Sequence, residues 1–454
     1  MKKIIYVFLI CLVFCSCSQN KSEENKLKQN KLEQNNNSVS ETKKEISSFS
    51  IPDVSKIDKS YAYTVRRDRK KKIITCDLLA HLDDFYSFQS SVHKLNSYYI
   101  KMGKECGSNQ IKYIEVSPKS LLGNRKELKR YQIGKVKWNS TSSQCDEFLG
   151  KPFQYNTSER CYRYKDYEII LSFKKDKVNF MGIYHKNKEE ALKTYQEKNF
   201  IMQGCRIVKY TGKYNGKKVD LPKDIVAIGK SAFKLKKSKE PSAFNEYNKN
   251  QDGTKVQKIS ISVPKYVHIE PKAFCKSGPI EVTFEEGRTD VEPYAFWNAS
   301  EIWHYGTIVR LPKSITRIRK WAFGQEVGTS GDVTLYMGDN IKRIDAYALR
   351  GVIFDKLPKC LESLGDYCIY IRCQKEKLVI PKHVKKLGYN PITLGFINQD
   401  EKLGVLVDKK NRRFKNDENG WLYSKDGKTL YFTYETEERY IPKTVKKMQC
   451  ELYA

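Results

Sequence analysis

One apolar phrase recurs through the second half of the chain, and it limits what that half can fold into. The clearest copies place a proline, two aliphatic residues and a small residue before an aromatic or aliphatic anchor. A unit this short cannot bury its apolar side alone, whereas stacked units bury one continuous core. In the two clearest copies the anchor stands eleven positions after the proline, and they are Leu221-Pro222 with Ala232-Phe233 and Leu311-Pro312 with Ala322-Phe323.

Six further copies keep this frame with less regular residues. Most neighbouring anchors follow one another at a similar short step, and two much longer steps, from Phe233 to Phe274 and from Ile392 to Tyr453, indicate insertions. We expect the residues three and six positions after the proline to point inward, and the proline to end the preceding strand because it lacks an amide donor. The six copies are Val263-Pro264 with Phe274, Glu285 with Phe296, Ile341 with Leu349, Leu357-Pro358 with Ile369, Ile380-Pro381 with Ile392 and Ile441-Pro442 with Tyr453.

The phrase resembles the BspA-like leucine-rich repeats, whose pattern is Leu-Pro-x-x-Val-x-x-Ile-Gly-x-x-Ala-Phe. The resemblance covers residues 219–454, and residues 295–300 are close to the family's continuation after the anchor. Residues 419–430 are similar to the family's hairpin insertion, which predicts a hairpin near residues 405–435 within repeats spanning 205–454. The resemblance implies a curved, β-rich solenoid on a secreted or surface protein that binds a ligand, often host matrix proteins or other cells.

The N-terminal residues have the pattern of a targeting segment. Met1-Lys2-Lys3 precedes an apolar run over residues 4–14, which is shorter than the roughly 20 residues that a membrane-spanning helix needs. Ser16 directly before Cys17 resembles a bacterial lipobox. That resemblance implies that residues 1–16 are a lipoprotein signal peptide and that acylated Cys17 anchors the protein to a membrane, in most cases the outer membrane. The alternative is an ordinary secretory signal with a cysteine in the core.

A polar segment follows the signal peptide. Residues 17–48 consist mainly of Lys, Asn, Gln, Glu and Ser, so they have little apolar surface to bury, and we predict a disordered tether. Residues 21–24 resemble the acidic export signals that send some lipoproteins to the cell surface. The sequence therefore predicts a cell-envelope protein with a possible surface location.

Residues 49–204 are predicted to form a small α+β domain, which makes the whole chain an α+β domain followed by a leucine-rich-repeat solenoid. Apolar spacing indicates a helix from about Cys76 to Tyr99, and two apolar runs at 167–173 and 178–184 indicate a β-hairpin. Residues 145–152 resemble the SmpA/BamE and β-lactamase-inhibitor-protein type of periplasmic domain, which binds other proteins. An unrelated α+β domain is the alternative.

The charge balance favours contact with polyanions. The chain has 84 Lys and Arg residues against 53 Asp and Glu residues, a formal charge of +31. Such a field attracts sulfated glycans, anionic lipid or nucleic acid, although no specific nucleic-acid motif is present. A solvated charged face is the alternative. The densest basic cluster consists of Arg66, Arg67, Arg69, Lys70, Lys71 and Lys72.

The sequence contains few of the residue patterns that catalysis or metal binding requires. It lacks a Gly-x-Ser-x-Gly nucleophile elbow, and His81 with Asp83 and Asp84 is the one acid–base cluster that we single out. The cysteines lack the close pairs of a zinc site, so no metal and no cofactor is expected. Two candidate disulfides, which the sequence leaves open, are Cys145 with Cys161 and Cys368 with Cys373.

These features predict a binding protein rather than an enzyme. The ligand would be a protein or a glycan, with adhesion to host or other cells as one use. The rival hypothesis is a periplasmic lipoprotein that acts in envelope assembly or as a scaffold. The candidate contact residues are the aromatic side chains that we expect to be exposed, namely Trp297, Trp303, Tyr305 and Trp321.

Overall fold

A computed structural model describes most of the chain beyond residue 72. The predicted signal peptide, Cys17 and the predicted tether lie outside the described residues. Within the described part, no helix is long and apolar enough to cross a membrane. The described residues are 65–66, 73–94, 100–117, 128–235, 257–299, 306–326, 333–371, 377–394, 404–434 and 441–452.

The N-terminal part mixes short helices with strands. Its helices are a 3-10 helix (Leu78–His81), α1 (Phe85–Lys94), α2 (Ser142–Leu149) and α3 (Lys188–Leu192). Its strands are β1 (Val65–Arg66), β2 (Ile73–Ile74), β3 (Cys76–Asp77), β4 (Lys101–Lys104), β5 (Ile111–Val116), β6 (Tyr131–Gln132), β7 (Gln154–Tyr155), β8 (Glu159–Tyr164), β9 (Tyr167–Lys174) and β10 (Lys177–His185).

An antiparallel sheet of six strands organises this part, in the order β4-β5-β10-β9-β8-β7. The predicted hairpin is confirmed, because β9 and β10 pair antiparallel with Ile169 opposite Ile183. Phe85 and Phe88 of α1 are fully buried in the same apolar cluster as Ile114 of β5 and Met181 of β10. The helix and the sheet therefore share one core.

The predicted helix from Cys76 to Tyr99 is present only over Phe85–Lys94, and residues 95–99 lie outside the described residues. Cys76 and Asp77 instead form β3, which pairs in parallel with β6. The Asp77 carboxylate then accepts a hydrogen bond from the Leu79 amide at 3.1 Å, so the chain turns into the 3-10 helix before α1 starts at Phe85. Leu78, Leu79 and Leu82 are buried in this turn. Their apolar spacing is therefore equally compatible with a buried turn.

The C-terminal part is a β-solenoid of about seven turns, which confirms the predicted fold class. Its strands up to residue 344 are β11 (Tyr195–Glu197), β12 (Phe200–Gln203), β13 (Arg206–Tyr210), β14 (Ala227–Ile228), β15 (Ile259–Val263), β16 (His268–Ile269), β17 (Ile280–Phe284), β18 (Asp290–Val291), β19 (Thr307–Arg310), β20 (Arg317–Ile318), β21 (Val333–Tyr336) and β22 (Arg343–Ile344). The remaining strands are β23 (Leu349–Arg350), β24 (Val352–Ile353), β25 (Ser363–Leu364), β26 (Ile369–Ile371), β27 (Leu378–Ile380), β28 (Lys386–Leu387), β29 (Ile392–Leu394), β30 (Val405–Val407), β31 (Phe414–Asn416), β32 (Leu422–Ser424), β33 (Thr429–Phe432) and β34 (Lys447–Met448).

Parallel sheets run along the solenoid, one strand for each coil. The strands that precede the proline position form the sheet β15-β17-β19-β21-β24 and the pair β27-β30. A second sheet, β18-β20-β22-β25-β28, contains the aliphatic residue six positions after the proline in most copies. Strand β15 ends at Val263 and β27 ends at Ile380, each directly before a proline, as predicted.

The anchors form a stack of aromatic rings inside the solenoid. Phe233 lies 5.3 Å from Phe274, Phe274 lies 4.4 Å from Phe296, and Phe296 lies 5.1 Å from Phe323, with the rings nearly parallel. The alanine before each of these anchors is fully buried. The amides of Phe274, Phe296 and Phe323 each donate to the next coil, for example from Phe296 N to Ala322 O at 2.7 Å. Small residues are therefore needed there because neighbouring backbones hydrogen-bond directly.

Antiparallel strands open and close the solenoid. Strands β11, β12 and β13 pair antiparallel, and β13 then pairs in parallel with β14 of the first coil. Phe200 of β12 packs edge-on against Phe233 at 6.4 Å, so this segment covers the first anchor. Near the other end, β31, β32 and β33 are antiparallel and β33 joins β34 in parallel.

A buried ion pair joins the strand before the first coil to the second coil. Arg206 donates to both carboxylate oxygens of Glu270 at 2.6 and 2.7 Å, and both residues are only 7% exposed. The guanidinium crosses the coil at Gly229, where a Cβ atom would lie 2.5 Å from its Nη2 atom. Burial alone would raise the pKa of Glu270, but the charge and hydrogen bonds of Arg206 lower it. The stabilisation that this ion pair gives the folded state is therefore present above the unfolded-state pKa of Glu270. It is lost as the pH falls through the folded-state pKa of Glu270.

We predict that Phe296→Ala destabilises the solenoid by about 3–5 kcal/mol, because it opens a cavity in the middle of the anchor stack. Urea unfolding followed by circular dichroism would measure the change. The matched control is Phe153→Ala, since Phe153 is 47% exposed and outside the stack. Equal losses in the two variants would contradict the central role of the stack.

We predict that Arg206→Met lowers the free energy of unfolding by about 3–5 kcal/mol, because it leaves the Glu270 carboxylate buried without its partner. The double variant R206M/E270L removes both charges and should recover most of that loss. The same urea unfolding experiment completes the double-mutant cycle. Additive losses in the double variant would show that the pair is not the source of the stability.

Candidate binding surface

The outward side of the first solenoid sheet changes from polar to apolar along the coils. In β15 the inward residues Ile259, Ile261 and Val263 are buried, while Ser262 between them is exposed. Later coils expose large apolar side chains on the strands that precede the proline position. We call them the apolar row, and they are Tyr336 (49% exposed), Ile353 (43%), Val379 (47%) and Leu406 (38%).

Strand pairing places Val379 and Leu406 of this row side by side, whereas Tyr336 lies opposite Arg310. Ile353 of β24 lies in register with Thr334 of β21, and Val379 of β27 lies in register with Leu406 of β30. Parallel sheets normally have both faces covered, and exposed apolar clusters often mark interaction sites. The apolar row is therefore a candidate contact surface.

One charged residue borders the row. The Arg310 guanidinium lies 4.3 Å from the ring centroid of Tyr336 and donates to the Glu281 carboxylate at 2.6 Å. The carboxylate keeps the arginine beside the ring, and the three side chains belong to successive strands of one sheet. They form a polar margin next to the apolar residues, the arrangement that protein interfaces commonly show.

A second aromatic column lies outside the core, two positions before the anchors. Tyr294, Trp321, Tyr347 and Tyr367 stack with centroids 6.2, 4.4 and 5.2 Å apart, and all four have a positive φ between 46° and 61°. Bulky residues rarely adopt this conformation, and here each is held by the next coil, as in the hydrogen bond from Trp321 N to Ala346 O at 3.1 Å. Because the rings cover one another, this outer column offers mainly ring edges to a ligand.

The structure describes two of the four predicted aromatic contact residues, and both are half-buried rather than exposed. Trp321 is part of the outer column. The Trp297 ring lies 3.5 Å from the ammonium group of Lys272, so a cation already occupies one face. Trp303 and Tyr305 lie outside the described residues. A role of these residues in ligand binding stays a prediction.

The predicted basic cluster cannot be placed as a surface. Arg66 belongs to β1 by its backbone, while its side chain and Arg67, Arg69, Lys70, Lys71 and Lys72 lie outside the described part. Binding of polyanions therefore stays a prediction.

The predicted acid–base cluster is divided between the core and the surface. His81 is 2% exposed, its ring packs 5.8 Å from Phe88, and desolvation lowers its pKa. Asp83 and Asp84 are exposed, and Asp84 accepts the Ser87 amide at 3.1 Å. Among the described residues, no group of three His, Cys, Asp or Glu side chains could hold a metal ion. The histidine of this cluster therefore lies in the core, whereas its two aspartates lie on the surface.

A cavity of about 350 Å³ lies between α1 and the solenoid. Gln89 of α1 donates to Tyr266 O at 2.7 Å at this joint. The charges in the wall pair with one another, as Arg288 contacts Glu292 and Arg319 donates to Asp290 at 2.5 Å. Both ion pairs lie within the solenoid, and neither His81 nor Asp84 lines the cavity.

The apolar row was missed by sequence reasoning. Its members sit between buried residues in short strands, as Val379 does between Leu378 and Ile380. An unbroken apolar run predicts a strand that is buried on both faces. The signal was present in such runs, but only the coil register shows that their middle residue faces outward.

Comparison with known proteins supports the repeat assignment. The family model described as a BspA type leucine-rich repeat region matches residues 209–327 and 267–392, in six copies. Neither the curated proteins nor the solved structures include a significant match to the chain. With the repeat phrase, the stacked anchors and the parallel sheets, this match identifies residues 209–392 as a BspA-type leucine-rich-repeat region.

Proposed function

We propose that the protein binds another protein through the outward face of its solenoid. The observation that carries the proposal is the apolar row, in which Tyr336, Ile353, Val379 and Leu406 are 38–49% exposed on strands whose other side forms the core. Burial of these side chains by a partner contributes favourable free energy in proportion to the apolar area that leaves water. BspA-type repeats are typically binding scaffolds without catalytic activity, which supports the same conclusion.

A protein ligand fits this surface better than a glycan does. Three members of the row are aliphatic, and the one aromatic member, Tyr336, already carries Arg310 beside its ring. Glycan sites commonly use open aromatic faces together with polar groups, whereas the rings of the outer column cover one another. We therefore propose that the ligand is a protein. The binding experiment below tests glycans separately.

The cellular setting of this proposal is the bacterial envelope. The N-terminal pattern that ends in Cys17 supports a lipoprotein, anchored in the outer membrane with the repeats outside the cell. In that position the solenoid could act in adhesion to host matrix or to other cells. The rival is a periplasmic lipoprotein that assists envelope assembly, for which the similarity of residues 145–152 to SmpA/BamE-type domains is the support.

We predict that Val379→Asp combined with Leu406→Asp weakens binding of a protein ligand at least about tenfold, because two carboxylates would have to be desolvated at the contact. Surface plasmon resonance against purified matrix proteins and, separately, sulfated and neutral glycans would measure it. The melting temperature should change little, since both side chains are exposed.

The matched control carries Phe153→Asp and Tyr155→Asp, because these residues are 47% and 66% exposed in the N-terminal part. It should retain the affinity of the parent protein. A protein ligand that binds both variants equally well, or binding to glycans alone, would contradict the proposed use of the apolar row.

We predict that protease treatment of intact cells removes the repeats while a periplasmic control protein survives. Surface exposure makes the repeats accessible to protease without permeabilisation. Immunoblotting for the C-terminal half, with a sample permeabilised before digestion as reference, provides the measurement. Protection of the repeats in intact cells would favour the periplasmic scaffold.

A further inference from the structure

Two turns from distant parts of the chain meet at a pair of cysteines. Cys106 lies in the turn between β4 and β5, and Cys205 lies in the turn between β12 and β13. The Cys205 amide donates to the carbonyl oxygen of Lys104 at 3.1 Å, which fixes the two turns side by side. The approach depends on Gly204, whose φ is 54° and where a Cβ atom would lie 2.6 Å from the same carbonyl oxygen.

The two sulfur atoms are already close to bonding distance. The Cys205 thiol donates to the Sγ atom of Cys106 at 2.8 Å, and both residues are free cysteines in the structure. A disulfide bond has a length of about 2.05 Å, so less than about 1 Å of movement separates the contact from the bond. Backbone hydrogen bonding between the turns holds the side chains at this separation.

The two cysteines differ in a way that suits stepwise oxidation. Cys106 is exposed, and the hydrogen bond from Cys205 lowers the pKa of its thiol, so its thiolate is accessible. Cys205 is 1% exposed, and the pKa of its thiol is raised by that hydrogen bond and by burial. Tyr195 borders the pair, with its hydroxyl 3.4 Å from Sγ of Cys106 and donating to Gly204 O at 3.1 Å.

We propose that Cys106 and Cys205 form a disulfide bond that fastens the N-terminal sheet to the first coil of the solenoid. The oxidant is an external disulfide, either a small molecule or a thiol–disulfide oxidoreductase. The thiolate of Cys106 attacks one sulfur of that disulfide, forms a mixed disulfide and releases the first thiolate. Cys205 then loses its proton, attacks Sγ of Cys106 and expels the second thiolate. Two electrons and two protons pass to the oxidant, which leaves as two thiols.

The position of the bond explains its expected effect. The two cysteines are 99 residues apart in sequence, so the bond closes a long loop, and cross-links of long loops restrict the unfolded chain most strongly. The pair Cys145 and Cys161, which the sequence suggests, is unbonded in the structure. Burial raises the pKa of these thiols to about 12 and about 11, respectively. They are therefore poorer nucleophiles than Cys106.

The test uses the full chain, purified with reductant and then incubated with oxidised glutathione. We expect mass spectrometry of the unreduced tryptic digest to show one peptide pair linked through Cys106 and Cys205, and the intact mass to fall by two hydrogens. C106S should abolish the linked pair. The matched control C360S, at another partly accessible lone cysteine, should leave it intact. Detection of free Cys106 and Cys205 by alkylation after the oxidised protein is denatured would overturn the proposal, as would glutathione retained on Cys106.

Thermal unfolding tests the fastening role. The oxidised chain should melt about 5–15 °C above the reduced chain, because the cross-link restricts the unfolded state. C106S and, independently, C205S should lose this difference, whereas C360S should keep it. Linked peptides without a difference in melting temperature would overturn the fastening role.

Discussion

Stacking of each coil on the next is the interaction on which this molecule depends. The anchor rings lie face to face through the middle of the solenoid, and the anchor amides donate to the following coil at about 3 Å. Both contacts require neighbouring backbones to approach closely, which is why alanine precedes the anchor in the best copies. The outer aromatic column follows from this constraint, because stacking in one register places equivalent residues above one another. In the same way, the pairing of β27 with β30 places Val379 beside Leu406 on the surface that we propose for binding.

The sequence predicts the core of the solenoid well and its surface poorly. Ile315 and Ile318 point inward as the frame requires, because the spacing from the proline is the same in successive coils. Val379 could not be placed on the surface, since its apolar neighbours on both sides conceal the alternation of the strand. The helix expected from Cys76 begins only at Phe85, because leucines in a buried turn share the spacing of an amphipathic helix. The contact of Cys106 with Cys205 depends on two turns whose approach no local pattern encodes.

Buried and half-buried charge pairs give the solenoid a definite order of coils. Arg206 reaches Glu270, Arg319 reaches Asp290, and Arg317 reaches Asp345, in each case across to another strand or coil. Apolar coils would stack in many registers with similar energy, whereas a buried charge tolerates only a neighbour that carries its partner. These pairs therefore select one stacking order among coils that resemble one another. Ion pairs leave the formal net charge of +31 unchanged. Approaching molecules therefore meet a positive electrostatic field.

Coil length and coil stacking are independent in this molecule. Phe233 and Phe274 are separated by a much longer stretch of sequence than Phe296 and Phe323 are. Even so, the ring centroids of the first pair lie 5.3 Å apart, nearly the same as the 5.1 Å between those of the second pair. The longer stretch of sequence between Phe233 and Phe274 therefore does not displace these anchors. A gene encoding such a chain can therefore gain or lose segments between coils while the core remains unchanged. Descendants of one ancestor could in this way present different loops, and recognise different partners, on the same folded frame.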